Sequence, residues 1–151
     1  MLNLEFDTIL ASRGCPYTCE FCSLKLNPLG QLRSYVSRSP ESVVAEIESS
    51  PADVILFADD IFFLEPQKAE RLCDLLIERD IQKHYVVQCR IEVFKFPRML
   101  EKAYRAGFRV LLLGIESATD RILKDMHKGF TTQQVREAFQ VLRRFPFWYH
   151  G

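Results

Sequence analysis

Three cysteines, Cys15, Cys19 and Cys22, follow an apolar run in a C-x₃-C-x₂-C pattern. Thiolates at this spacing can converge on one inorganic centre, and cysteine is the usual ligand of iron–sulfur clusters. Three thiolates leave a four-iron cluster one protein ligand short. A cluster with an open iron can bind and activate a small molecule, whereas a fully ligated one mainly passes electrons.

Three other uses of these cysteines compete with the cluster. A structural zinc site usually has four ligands in two pairs, and no fourth Cys or His follows nearby, although distant histidines could approach in space. A disulfide would leave a spare thiol, and a redox pair of Cys19 and Cys22 would leave Cys15 without a role. The pattern therefore favours an open-site iron–sulfur cluster.

The composition places the chain among soluble globular proteins of one domain. Its 151 residues are 48% hydrophobic and 26% charged, and 20 basic residues balance 20 acidic ones. Zero formal charge argues against a broad nucleic-acid surface. No apolar stretch is long enough to span a bilayer, and the N-terminus lacks the pattern of a secretory signal. An odd count of five cysteines does not suit a secreted disulfide framework, so we expect a cytoplasmic protein with free thiols.

Strands and helices are predicted to alternate along the chain. Apolar, β-branched segments indicate strands over about 4–11, 54–58, 85–90 and 109–115. Amphipathic segments follow each strand, with helix starts at Ser39-Pro40 and Pro66 and a capping box at Thr131 and Gln134. Four β-α units predict an α/β fold with a parallel sheet and outer helices, because parallel strands need long crossovers.

Polar residues follow each of the predicted strands. The cysteines come after the first strand, Asp59 and Asp60 after the second, Arg90 and Glu92 after the third, and Glu116 after the fourth. In parallel α/β folds, sites gather at the carboxyl ends of the strands. We therefore expect the four segments to face one pocket.

The segment from Arg13 to Cys22 closely resembles the cluster loop of the radical S-adenosylmethionine (radical SAM) enzymes. Later segments look like successive landmarks of the branch that includes the cobalamin-linked enzymes related to the anaerobic magnesium-protoporphyrin cyclase. The resemblance extends from the first strand to the last helix. These landmarks are Arg38-Ser39-Pro40-Glu41, Phe57-Ala58-Asp59-Asp60-Ile61-Phe62, Gln88-Cys89-Arg90, Gly114-Ile115-Glu116-Ser117 and Lys128-Gly129.

The resemblance implies a [4Fe–4S] cluster on Cys15, Cys19 and Cys22, with S-adenosylmethionine chelating the open iron. One electron then cleaves the cosubstrate to methionine and a 5′-deoxyadenosyl radical, which abstracts hydrogen from a small-molecule substrate. A flavodoxin or ferredoxin would be the electron donor. Cobalamin would require a further domain upstream. An iron–sulfur module that transfers electrons without turnover is the alternative.

Roles for the remaining site residues are also implied by the resemblance. Phe21 would lie against the adenine, or else fill the core under the loop. Asp59 or Asp60 would contact the amino group of the methionine moiety, unless both are solvated acids. Arg90 would pair with the cosubstrate carboxylate or a substrate acid, or else form a salt bridge with Glu92 or Asp60.

Glu116 would contact the ribose or the methionine part, whereas Ser117 suits a helix cap. Cys73 and Cys89 are expected to be packed core thiols. Similar enzymes have a six-unit partial (β/α) TIM-like barrel, so residues 1–151 would be one core domain, incomplete at its C-terminal end. We expect the chain to break off near 145–151, where a fifth strand should begin, and missing domains or a partner chain to complete the barrel.

Overall fold

The computed structural model describes residues 4–31 and 33–151. The strands are β1 (Phe6–Ile9), β2 (Ser12–Arg13), β3 (Val36–Ser37), β4 (Val54–Phe57), β5 (His84–Cys89), β6 (Phe108–Leu113) and β7 (Trp148–His150). The helices are α1 (Pro40–Ser49), α2 (Pro66–Glu78), α3 (Pro97–Arg105), α4 (Asp120–Asp125) and α5 (Thr132–Leu142). Short 3₁₀ turns cover Ser23–Lys25, Phe62–Leu64 and Ile91–Lys95.

A parallel five-stranded sheet in the order β1-β4-β5-β6-β7 forms the centre of the fold. Each strand of the sheet is joined to the next by a connection that contains at least one helix, so the predicted α/β class is confirmed. The prediction of four β-α units also holds. The first strand is shorter than expected, because the chain leaves the sheet after Ile9 and Ser12–Arg13 pairs instead with Val36–Ser37.

One face of the sheet packs against the helices and supplies most of the core. Alternate strand residues such as Ile55 and Val87 are fully buried there, as period-two side-chain alternation requires. Phe57, Tyr85 and Phe108 form an aromatic cluster with ring centroids 5.0–6.0 Å apart. Each such side chain stabilises the fold by about 1.5–3 kcal/mol through burial, so this cluster holds the strands whose ends carry the site.

The helix boundaries follow the expected local signals. Ser39 accepts a hydrogen bond from the Ser42 N–H at the start of α1, and Thr131 with Gln134 forms the predicted capping box of α5. A helix Asp120–Asp125 follows Ser117, which was expected to be a helix cap. The N-cap position is held by Thr119 instead, and the Ser117 hydroxyl accepts from the Thr119 N–H at 3.1 Å. None of the helices within the described ranges is long and apolar enough to cross a bilayer.

The expectation that the chain breaks off before a fifth strand is wrong. Trp148–His150 pairs in parallel with β6, with Tyr149 opposite Leu111. Two aromatic side chains hold this strand: Phe147 is buried with its ring edge-on to Tyr104, and the Tyr149 hydroxyl donates to the carbonyl of Phe145. The aromatic side chains of this last segment are therefore largely packed, although Trp148 is 76% exposed.

Candidate functional site

The cysteine loop leaves the small β2–β3 ladder at Gly14 and carries the three thiols along one short segment. Gly14 has φ +88°, and a Cβ at this position would lie 2.3 Å from the Ser34 carbonyl oxygen. Only glycine adopts this conformation at no steric cost. The close approach of two backbone segments therefore sets the direction in which the chain enters the loop.

All three loop cysteines are free thiols with different degrees of exposure. Cys19 is buried, whereas Cys15 and Cys22 are half-buried, and the Cys22 N–H donates to the Cys19 carbonyl at 3.1 Å. Burial raises the pKa of the Cys15 thiol. Across residues 4–31 and 33–151, no three His, Cys, Asp or Glu side chains converge closely enough to chelate a single metal ion.

Asp59 and Asp60 both bind the segment that leads into the cysteine loop. Asp59 is 2% exposed; one carboxylate oxygen accepts from the Ala11 N–H at 3.0 Å and the other from the Ser12 hydroxyl. Asp60 accepts from the Gly14 N–H at 2.9 Å through Oδ2. Burial is the main cause that raises the pKa of Asp59. The two acids after β4 thus anchor the loop, a role that sequence reasoning missed.

Arg90 makes the salt bridge with Glu92 that was one of its expected alternatives. Its Nη2 lies 2.7 Å from Glu92 Oε1 and also donates to the Lys128 carbonyl, and its Nε lies 3.1 Å from the same Oε1. The guanidinium carbon lies 3.8 Å from the centre of the Tyr17 ring. Its remaining nitrogen, Nη1, lies 3.8 Å from Cys19 Sγ. Arg90 therefore belongs to the surroundings of the cysteine loop.

Glu116 and Phe21 are joined through Lys128, which sequence reasoning quoted in a motif but gave no role. Lys128 is 4% exposed; its Nζ lies 3.3 Å from Glu116 Oε1 and 5.5 Å from the centre of the Phe21 ring. Gly114 leaves room for this pair, since a Cβ there would lie 3.2 Å from Glu116 Oε1. Phe21 is 51% exposed, so it does not fill the core.

The expected pocket residues form one connected group and one separate pair. Arg90 contacts Cys19 and the Lys128 carbonyl, and Lys128 links to Glu116 and Phe21. In the described part of the chain, no hydrogen bond or ion pair joins Asp59 or Asp60 to this group. The arrangement combines three thiols, an exposed aromatic face and a carboxylate, which suits a cluster beside a nucleoside.

Comparison with known proteins decides the family. The model of the Radical SAM superfamily matches residues 9–149. The chain belongs to the radical SAM superfamily. The resemblance read from the cysteine loop and the later landmarks is thereby confirmed.

The relatives of this radical SAM chain are considerably longer proteins. An uncharacterized methyltransferase of Pyrococcus horikoshii is 28% identical over 147 residues, which are 95% of this chain and 31% of the relative. The anaerobic magnesium-protoporphyrin IX monomethyl ester cyclase of Rubrivivax gelatinosus is 30% identical over 137 residues, 87% of this chain and 24% of the relative. The chain thus spans between about a quarter and a third of these relatives.

A solved structure with the same fold is the radical S-adenosylmethionine methyltransferase TsrM from Kitasatospora setae with cobalamin and a [4Fe–4S] cluster bound. It has a TM-score of 0.80 and 21% sequence identity, and the match covers 95% of this chain and 30% of TsrM. At this identity the likeness establishes the fold. The radical SAM chain therefore has the parallel α/β architecture of a larger enzyme of the same superfamily.

Proposed function

We propose that this chain is part of the core domain of a radical SAM enzyme and that Cys15, Cys19 and Cys22 hold a [4Fe–4S] cluster. The observation that carries the proposal is the set of three free thiols on one loop. This loop lies within residues 9–149, the part of the chain that matches the superfamily model. When bound, such a cluster supplies the electron that reductively cleaves S-adenosylmethionine to methionine and a 5′-deoxyadenosyl radical. The protein supplies binding, orientation and exclusion of water.

Phe21, Glu116 and Lys128 form the proposed nucleoside side of the cosubstrate site. Half of the Phe21 surface is open, so its ring can stack on adenine. Lys128 holds Glu116 Oε1, and Oε2 has no partner within the described residues, so it can accept from a ribose hydroxyl. The buried lysine orients the carboxylate through a charge-assisted hydrogen bond, which is stronger than a neutral one.

Asp60 is the acid that we assign to the amino group of the methionine moiety. Both carboxylate oxygens of Asp59 are occupied by Ala11 and Ser12, whereas among the described residues Asp60 is bound only through Oδ2, by Gly14. Its second oxygen can therefore accept from an ammonium group beside the loop. Asp59 acts through the loop backbone and is a positioning residue.

The substrate, the electron donor and the compartment belong to the whole protein and are proposed at the level of chemical class. We expect a small-molecule substrate, a flavodoxin or ferredoxin as donor, and a cytoplasmic location. The match to the methyltransferase and cyclase relatives supports an enzyme. The alternative, an electron-transfer module, predicts a stable cluster that never consumes the cosubstrate.

Anaerobic reconstitution with iron and sulfide tests both parts of the proposal. We expect four irons per chain in the wild type and near-complete loss of cluster absorbance in Cys19→Ala, with Cys73→Ala as a matched control that keeps the cluster. Dithionite and S-adenosylmethionine should then release 5′-deoxyadenosine. Zinc in the anaerobically purified chain, or a cluster that persists in Cys19→Ala, would contradict the ligand assignment. A stable cluster without 5′-deoxyadenosine would support the electron-transfer module.

A further inference from the structure

The Arg90 guanidinium lies against the sulfur of Cys19, at a distance suited to a weak hydrogen bond from nitrogen to sulfur. The Nη1–Sγ distance is 3.8 Å, and the two residues are 9% and 7% exposed. We infer that Arg90 is a positioning residue that donates to the Cys19 thiolate and raises the reduction potential of the bound cluster. This inference rests on the proposed function, since it requires the cluster.

The protein holds the guanidinium in one orientation. Nε and Nη2 are bound by Glu92 and by the Lys128 carbonyl, and the Tyr17 ring covers one face at 3.8 Å from the guanidinium carbon. These contacts leave Nη1 as the nitrogen that can donate to another group, and Nη1 lies 3.8 Å from Cys19 Sγ. Because its other donors are occupied, this guanidinium cannot readily form a bidentate pair with a cosubstrate carboxylate.

The direction of the effect follows from electrostatics. Reduction adds an electron to the cluster and its sulfur ligands, so a positive charge and a donor at one sulfur stabilise the reduced state more than the oxidised state. Hydrogen bonds to sulfur and net charge are established determinants of cluster potential. Because both partners are buried, the interaction is weakly screened. Glu92 opposes the effect, since its carboxylate partly neutralises Arg90.

Two substitutions of opposite sign give the test. We expect Arg90→Met to lower the midpoint potential and Glu92→Gln to raise it, in the full chain after anaerobic reconstitution, by redox titration followed with electron paramagnetic resonance. For Arg90→Met the expected change is at least tenfold in the one-electron reduction equilibrium, which corresponds to about 59 mV. Arg90→Lys keeps the charge but loses the fork, so its shift should be smaller.

Arg109→Met is the matched control, since Arg109, which is half-buried, is another arginine stacked on a tyrosine, with its guanidinium carbon 4.4 Å from the Tyr104 ring centre. It lies near the start of β6, away from the cysteine loop, and should leave the potential unchanged. An unchanged potential in Arg90→Met, or shifts of the same sign in Arg90→Met and Glu92→Gln, would overturn the inference.

The outcomes separate this inference from the proposed function. Absence of a cluster in the wild type would refute the function itself, whereas a normal cluster with an Arg90-independent potential would refute only the role of Arg90. If Arg90→Met does not assemble a cluster, Arg90→Lys and Glu92→Gln decide the question. Potentials equal to that of the wild type in both would then exclude the proposed tuning.

Discussion

At the scale of single residues, the site is built by polar side chains that hold other site residues in place. Asp59 and Asp60 bind the backbone before the first cysteine, Arg90 is aligned by Glu92, and Glu116 is aligned by Lys128. Asp59, Arg90 and Lys128, which are buried, each have a hydrogen-bond or ion-pair partner, as expected where an unpaired buried polar group would cost about 1–3 kcal/mol. In metal centres, contacts of this kind orient the side chains that bind the metal.

The two functions proposed for Asp60 can be separated by a pair of substitutions. Asp60→Asn keeps an acceptor oxygen for the Gly14 N–H but loses the charge, so we expect the cluster to assemble and S-adenosylmethionine to bind about tenfold or more weakly, as loss of a charge-assisted bond implies. Asp60→Ala also removes the loop anchor, so cluster content should fall. Iron analysis and equilibrium binding give the two readouts. Unchanged cosubstrate binding in Asp60→Asn would refute the role toward the amino group.

At the scale of elements, strand β7 is too short to be stabilised mainly by its backbone pairing, and the packing of its side chains and of Phe147 holds it in place. The strand has three residues, of which Trp148 is 76% exposed. Phe147, directly before it, is buried against Tyr104, and Tyr149 packs edge-on to Phe139. Packing on the helix side therefore fixes the strand at the sheet edge.

This explanation predicts different costs for two adjacent aromatic residues. Phe147→Ala should lower the free energy of unfolding by about 3 kcal/mol or more, because it removes a buried ring and leaves a cavity. Trp148→Ala should change it by less than about 0.5 kcal/mol, as for an exposed site. Urea unfolding should be followed by circular dichroism, because Trp148 is the only tryptophan and Trp148→Ala would have no tryptophan fluorescence to monitor. Equal costs would show that the strand is not held by its buried face.

At the scale of the whole molecule, a continuous core separates two kinds of cysteine. Cys73 and Cys89 belong to the main core cluster, and burial raises the pKa of each thiol to about 12. Cys15 and Cys22 lie half-buried on the loop at the edge of the sheet. The expectation that Cys73 and Cys89 are packed thiols is confirmed.

Thiol labelling should therefore report global unfolding at Cys73 and Cys89, and the accessibility of the folded loop to reagent at Cys15 and Cys22. In the reduced, metal-free chain near pH 8, iodoacetamide should alkylate Cys15 and Cys22 readily. Cys73 and Cys89 should react only as the chain unfolds in urea, because a raised pKa keeps the buried thiol protonated and unreactive until then. Peptide mass spectrometry across the urea transition measures each site. Early labelling of Cys89 would show that the carboxyl end of β5 opens independently of the core.

Two features were determined by the sequence alone because they depend on near neighbours along the chain. The spacing of Cys15, Cys19 and Cys22 identifies the family, and the alternation of strand and helix patterns predicts the parallel sheet. Helix starts at Ser39 and Thr131 are likewise set by hydrogen bonds within three residues.

The tertiary structure determines which site residues contact one another. Cys19 and Arg90 are 71 positions apart in the chain, and Ala11 and Asp59 are 48 apart, so no local pattern records these contacts. The burial of Lys128 and the pairing of β7 with β6 likewise arise only when separate segments pack together. Which polar group meets which partner is fixed by the satisfaction of buried hydrogen-bonding groups in three dimensions.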